Sequence, residues 1–355
     1  MSALRAQRSA GKVRPARLTD LAALGELSRL CQSDSANTRS LGLPVNGPPI
    51  GVFSLFRLPL GAFRPNDLMY VYEEQGHIAG LVRVERESIR DEWTIVELDA
   101  VGMANAGDIR YRLVQLLLRE GAKRGAARFH VACADADDNV ELLMQAGFMR
   151  YGEERILFRS DDRPLPAPWT EQRAKGARIR PTASLDAVAL SRLYAQATPQ
   201  PVTRLEAYRL ADWERQGAHL RVPRSSLTPI LRFADVEGFV QTTADGGRDG
   251  TQLDAYLQVG VAKEDQPHYL KVVARPEADV SDLIDFGLGV IAAQTSRGGD
   301  HRRDRGVIAP VRTYESPIDR RMEDAGFDSI ASVTLLMKET LVRVAEPALV
   351  PAGVR

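Results

Sequence analysis

Cysteine is nearly absent. Cys31 and Cys133 are the only two in 355 residues, which excludes a disulfide framework and a thiolate metal cage. Histidine is as scarce, and His77, His130, His219, His268 and His301 are scattered with no pair at metal-ligand spacing. Net charge is missing too, with 47 basic residues against 47 acidic ones. That balance removes any global electrostatic reason for a nucleic-acid or membrane partner. No apolar run approaches the ~20 residues that span a bilayer, and no signal-peptide core follows the N-terminus. Neither a Gly-x-Ser-x-Gly elbow nor a Gly-x-x-x-x-Gly-Lys phosphate loop occurs. The expectation is a metal-free cytoplasmic protein.

What the sequence does contain is a repeat. Arg14-Pro15 precedes an apolar-periodic stretch from Leu18 to Leu30, and Arg180-Pro181 precedes a similar one from Leu185 to Leu193. Ala146-Gly147-Phe148 is echoed by Ala325-Gly326-Phe327, and each triplet runs on into an apolar strand-like segment. Two copies of one domain of ordinary size follow. The expected division is a tail over 1–12, a first domain over 13–159, a linker over 160–177, a second domain over 178–345 and a tail over 346–355. Pro164, Pro166 and Pro168 favour extended backbone in the linker.

Within the first copy the patterns give β-α-β-β-β-α-β-α-β, an α/β domain with one mixed sheet. Thr19 is the expected cap of the first helix. Gln75-Gly76 marks a hairpin turn, and Trp93–Val101 is a strand in which Thr94, Val96, Leu98 and Ala100 alternate with Ile95, Glu97, Asp99 and Val101. A long helix from Ile109 ends at Gly125, and a short one stops at Gly147. Two stretches invite notice: the apolar, Pro/Gly-rich run from Leu41 to Phe63 and the basic cluster from Arg297 to Gly306. The first suits a substrate wall or a packing surface equally, and the second is read as a solvated loop.

This order of elements, with Ala-Gly-Phe after a short helix in both copies, resembles the GCN5-related N-acetyltransferases (GNAT). On the family pattern Asp137, Val140, Leu143 and Met144 take the Asn, Ala, aliphatic and Tyr positions, and Ser316, Asp319, Met322 and Glu323 take them in the second copy. The resemblance covers almost the whole chain. It implies two tandem GNAT-like domains, each a mixed, mostly antiparallel sheet flanked by helices, with acetyl-CoA as cofactor and a small-molecule or protein amine as acceptor.

The cofactor pyrophosphate in this family lies on a glycine-rich loop at the start of the long helix, where unpaired N–H groups and the helix dipole receive it. The first copy offers Val101, Met103, Gly107, Asp108, Ile109 and Arg110 there, with Asp108 expected to cap the helix. The second has no glycine in Arg275–Asp282 and adds Glu277, Asp279 and Asp282. Acetyl-CoA is therefore expected in the first copy if in either. Met144 cannot donate a proton where the family has Tyr. Glu97 and Asp99, two apart on one strand, share a face and are the candidate bases, although on a half-exposed strand such a pair commonly points to solvent. Two readings stay open: an acyl-CoA-dependent N-acyltransferase working through the first copy, and a non-catalytic GNAT-fold binding or scaffold protein.

Overall fold

The computed structural model describes residues 11–33, 67–87, 90–101, 105–134, 138–216, 225–228, 231, 233–243, 252–262, 267–297 and 305–340. Met103, the run from Leu41 to Phe63 and residues 298–304 of the basic cluster lie outside them.

The chain runs β1 (Lys12–Pro15), α1 (Leu21–Ser33), β2 (Asp67–Glu74), β3 (His77–Glu87), β4 (Glu92–Ala100), α2 (Ala106–Lys123), β5 (Arg128–Cys133), α3 (Asn139–Gln145) and β6 (Met149–Arg159). After α4 (Glu171–Gly176) the order returns: β7 (Ile179–Pro181), α5 (Ala187–Ala197), α6 (Gln200–Glu206), α7 (Leu210–Glu214), β8 (Phe233–Thr242), β9 (Leu253–Ala262), β10 (His268–Ala274), α8 (Ser281–Arg297), β11 (Val307–Arg312), α9 (Ser316–Asp324) and β12 (Asp328–Glu339). The β2–β3 turn falls where the sequence places it, with Gln75 at φ 53° and Gly76 at φ 82°, as a tight hairpin requires.

The Arg-Pro repeat has a physical cause. Arg14 donates to both carboxylate oxygens of Asp20 at 2.7 and 3.0 Å, and the Arg17 N–H donates to Asp20 at 2.7 Å. Arg180 does the same to Asp186 at 2.7 Å on each oxygen, with the Ala183 N–H at 2.8 Å. Each Asp closes a 3₁₀ turn that launches the next helix. The expected cap, Thr19, sits inside that turn, and α1 begins only at Leu21.

All twelve strands form one sheet, ordered β1-β2-β3-β4-β5-β12-β6-β11-β10-β9-β8-β7. The last strand of each repeat is exchanged. β12 pairs antiparallel with β5, β6 pairs antiparallel with β11, and β6 and β12 pair with each other at the centre. The strand that the sequence reads as closing the first copy thus completes the second. One face carries α2 and α3 over the first-half core and α8 and α9 over the second-half core. The other carries α1, then Leu227 and Leu231 over the central strands, then α5 and α7. The segment over 160–177 is packed rather than extended throughout: Trp169 meets Phe286 of α8 edge to face, and α4 interrupts it, capped by Thr170.

Candidate functional site

Each half contains one parallel strand pair, and both pairs come apart. β4 pairs with β5 only over Glu92–Ile95 and Arg128–Val131, although both strands run on to Ala100 and Cys133. β10 pairs with β11 only at His268–Tyr269 and Val307–Ile308. Beyond those residues each pair opens into a wedge at the strands' carboxyl ends, where a helix N-terminus also points. That is the place where open α/β sheets bind ligands.

In the first wedge β4 carries a bulge. The β3–β4 register shifts between Arg83/Glu97 and Val84/Ile95, so Trp93 and Ile95 face the α2 core together with Leu98 and Ala100. The strict alternation read from the sequence breaks there, because one residue is inserted and the faces swap past it. Glu97 and Asp99 do share the other face, but neither points to solvent: they are 4% and 0% exposed. Glu97 receives the Arg83 Nε–H at 3.2 Å.

The expected cofactor residues fall in different environments. Val101 spends its N–H on the Ala79 carbonyl at 2.9 Å. Ile109 is buried in the core; its Cγ2 would lie 2.5 Å from a Cβ at position 80, so Gly80 is what allows α2 to approach β3. Gly107 stands in the first turn of α2 with open space on its Cβ side. Asp108 does not cap the helix. The helix starts earlier than its sequence suggests, at Ala106, with Asn105 at the N-cap making no side-chain capping bond. Asp108 lies within the first turn and pairs with Arg112 at 2.8 Å, which neutralises it locally. Arg110 is buried and donates through Nη1 to Asn139 Oδ1, tying α2 to α3.

The second wedge is filled by its own side chains. β10 has no bulge against β9, and Lys271, 3% exposed, crosses from β10 to donate to the Pro310 carbonyl of β11 at 3.2 Å and to Glu315 at 2.9 Å. Arg312 at the end of β11 donates to Glu154 of β6 and Glu206 of α6, each at 3.1 Å. Burial alone would lower the Arg312 guanidinium, but Glu206 and Glu154 outweigh it and hold it well above its ordinary value. Burial, in contrast, pushes up Tyr194, which donates to Glu206. The mouth of α8 is occupied as well: Asp279 accepts from the Ser281 N–H at 3.1 Å and its hydroxyl at 2.7 Å. Those bonds hold Asp279 below the usual carboxylate range.

A third buried polar group joins the halves at the base of the first wedge. Glu92 meets Arg90 at 2.6 Å, and Arg128 and His130 at 3.3 Å each. Arg90 reaches the Glu206 carbonyl at 2.6 Å and stacks 4.0 Å from the Tyr208 ring centre. Sequence reasoning missed Arg83, Lys271, Glu154 and Arg312. The available signal was an ionisable residue inside an otherwise apolar strand, as in Tyr269-Leu270-Lys271-Val272, which needs a buried partner. Among the described residues no group of His, Cys, Asp or Glu is arranged to hold a metal ion. No helix among them is long and apolar enough to cross a membrane.

Comparison with known proteins rests on shape. No family model matches the sequence, and no curated protein does. A tandem GNAT protein from the clavulanic acid biosynthesis pathway, solved without acetyl-CoA, is similar at a TM-score of 0.51 and 13% identity, over 93% of this chain and 98% of that one. A GCN5-related N-acetyltransferase from Sphaerobacter thermophilus is similar at a TM-score of 0.53 and 15% identity, over 93% and 96%.

Proposed function

The chain has the tandem GNAT fold, and we propose that it transfers an acyl group from acyl-coenzyme A to an amine, with the first wedge as the working site. One observation carries this: the two wedges are built differently. β4 is bulged and turns Glu97 sideways to Arg83, whereas β10 is regular and sends Lys271 across the gap. The second half then serves as a scaffold that also supplies β12 to the first.

Residues of the first half fit the cofactor. A pyrophosphate has the first turn of α2 to receive it, with Gly107 leaving room for close approach and the Asp108 charge taken up by Arg112. Arg110 holds α3 in place through Asn139 rather than facing a phosphate. Bound there, acetyl-CoA supplies an activated thioester carbonyl. Glu97 and Asp99 then take the proton that an ammonium acceptor must lose before it attacks, and Arg83 fixes the orientation of Glu97. Carboxylates at Glu97 and Asp99 suit a cationic small-molecule or protein amine as the acceptor rather than nucleic acid. A cytoplasmic setting, where acetyl-CoA is made and used, goes with this reading.

The test is calorimetric titration of acetyl-CoA into the full chain. One binding event per chain is expected, weakened at least about tenfold by Gly107→Asp, since 1.4 kcal/mol separates each decade, and unaffected by Ser281→Ala. Glu97→Gln should retain binding and lower acetylation of a diamine panel by about 10²- to 10⁴-fold. Binding that ignores Gly107→Asp but falls with Ser281→Ala would move the site to the second half and end this reading.

A further inference from the structure

A cavity of ≈ 220 Å³ lies at the amino ends of β10 and β11, the opposite end from the second wedge. Arg159, Ser160, Pro164, Leu165, His268 and Thr295 are among its walls. The end of β6 and the following segment form one side, and the last turns of α8 the other. Arg159 is 7% exposed, and its guanidinium is held by three main-chain carbonyls: Ala325 at 3.1 Å, and Arg163 and Pro164 at 2.8 Å each. A guanidinium has five N–H donors, so three bonds fix its position without exhausting it. None of those three partners carries charge. Burial first, and then neighbouring Arg163, push Arg159 below its ordinary value, while Asp162 and Asp285 act only as weaker opposing charges. A desolvated cation held by neutral groups is a site for an anion.

The opposite wall mixes polar and apolar groups. His268 is 2% exposed, and its Nδ1 accepts the Ala262 N–H at 3.1 Å, which fixes the ring in this wall. Thr295 and Ser296 also line this space, their hydroxyls donating to the Ala292 carbonyl at 3.1 and 2.7 Å, and Leu165, Ala292 and Val307 form its apolar part. Asp161 stands exposed at the rim and accepts from Ser160 at 3.2 Å. Gly306 at φ 61° closes the floor where a Cβ would lie 2.5 Å from Phe158 and 2.7 Å from the Arg159 carbonyl.

From this arrangement we infer that the cavity is a second ligand site, separate from the acyl-transfer wedge, for a small organic anion whose carboxylate or phosphate head meets Arg159 and whose short apolar body lies against Leu165 and Val307. The volume is below the ~300–1,000 Å³ of ordinary ligand pockets, so the occupant is smaller than a nucleotide.

The test uses the full chain, with butyrate, glycerol phosphate and inorganic phosphate titrated separately by ligand-observed NMR. Saturable binding of at least one organic anion is expected with a Kd of about 1 mM or tighter, and the preferred head identifies the class. Because Arg159→Met risks the fold, the deciding variants are Ala292→Phe, which fills the space from a helix surface, and Ser296→Glu, which adds a negative charge at the mouth. Both should weaken binding at least about tenfold with unchanged circular dichroism, while Gly107→Asp leaves it intact. Absence of binding by all three probes, or binding that survives both variants, overturns the inference; loss on Gly107→Asp would reassign the anion to the acyl-transfer wedge.

Discussion

Asp20 and Asp186 show how one side chain can set a whole domain's opening. Each accepts a bidentate arginine and a backbone N–H, and charge-assisted bonds of this kind are about twice as strong as neutral ones. Asp20 is held below its ordinary value of 3.8 first by the Arg14 bonds, against burial. Burial pushes Asp186 up, but Arg180 and the Ala183 N–H together overcome it and the net direction is also downward. A carboxylate whose folded value is depressed stabilises the fold above its unfolded value, and that contribution is lost as pH falls through the unfolded and then the folded value. Asp20→Asn should therefore cost about 1–3 kcal/mol at neutral pH and flatten the acid limb below about pH 4, read by urea denaturation as a function of pH. An unchanged acid limb in the double variant Asp20→Asn with Asp186→Asn would show that the two caps do not set it. The arginines of these pairs were legible because Arg-Pro recurs in the sequence. Their partners were not, since the sequence pointed to Thr19 as the cap, and the turn that brings Asp20 back to Arg14 is set by the backbone.

Among the elements, β4 and β10 show what a single inserted residue does. The pattern of β4 reads as a regular strand, because a bulge adds one residue without changing composition; only pairing with β3 reveals that Ile95 and Leu98 face one way. What the sequence did convey is that Glu97 and Asp99 share a face, a consequence of a spacing that lies beyond the bulge. Their burial was not conveyed, because it depends on α1 packing over that face. In β10 the ladder is unbroken and Lys271 spans the gap to Pro310 and Glu315. Removing one partner of a buried pair leaves an uncompensated charge, which typically costs about 3–5 kcal/mol. Lys271→Met should lose stability on that scale, and adding Glu315→Gln should restore about half of it, because the neutral amide still accepts the Arg312 N–H that Glu315 now accepts at 2.8 Å. Additive losses in this cycle, measured by chemical denaturation, would mean that Lys271 and Glu315 do not act as a pair.

For the molecule as a whole, the decisive feature is the exchange of last strands. The duplication was legible because each copy repeats its local signals, but strand pairing is non-local and nothing in Met149–Arg159 or Asp328–Glu339 says which sheet either joins. The structure places β12 between β5 and β6, and β6 between β12 and β11, so a cut in the segment over 160–177 leaves both products incomplete. The first fragment loses the strand that pairs with β5 from Arg128 to Cys133 and leaves β6 without β11. The second loses the partner of β11 from Val307 to Arg312, and β12 is left with no neighbour. Unpaired central edges expose apolar faces and main-chain donors, so each fragment alone should aggregate or stay partly unfolded. Refolded together they should return as one complex, because the antiparallel β6–β12 pair and both flanking ladders re-form without strain. The check is size-exclusion chromatography with amide-resolved NMR on the separate and co-refolded fragments. Deleting residues 328–355 from the full chain should, by the same reasoning, unsettle the first half as well as the second, seen as lost amide protection in β5. A first fragment that unfolds cooperatively and gives a dispersed spectrum by itself would show that β12 is dispensable to it, and with that the second half would no longer be needed to complete the first wedge.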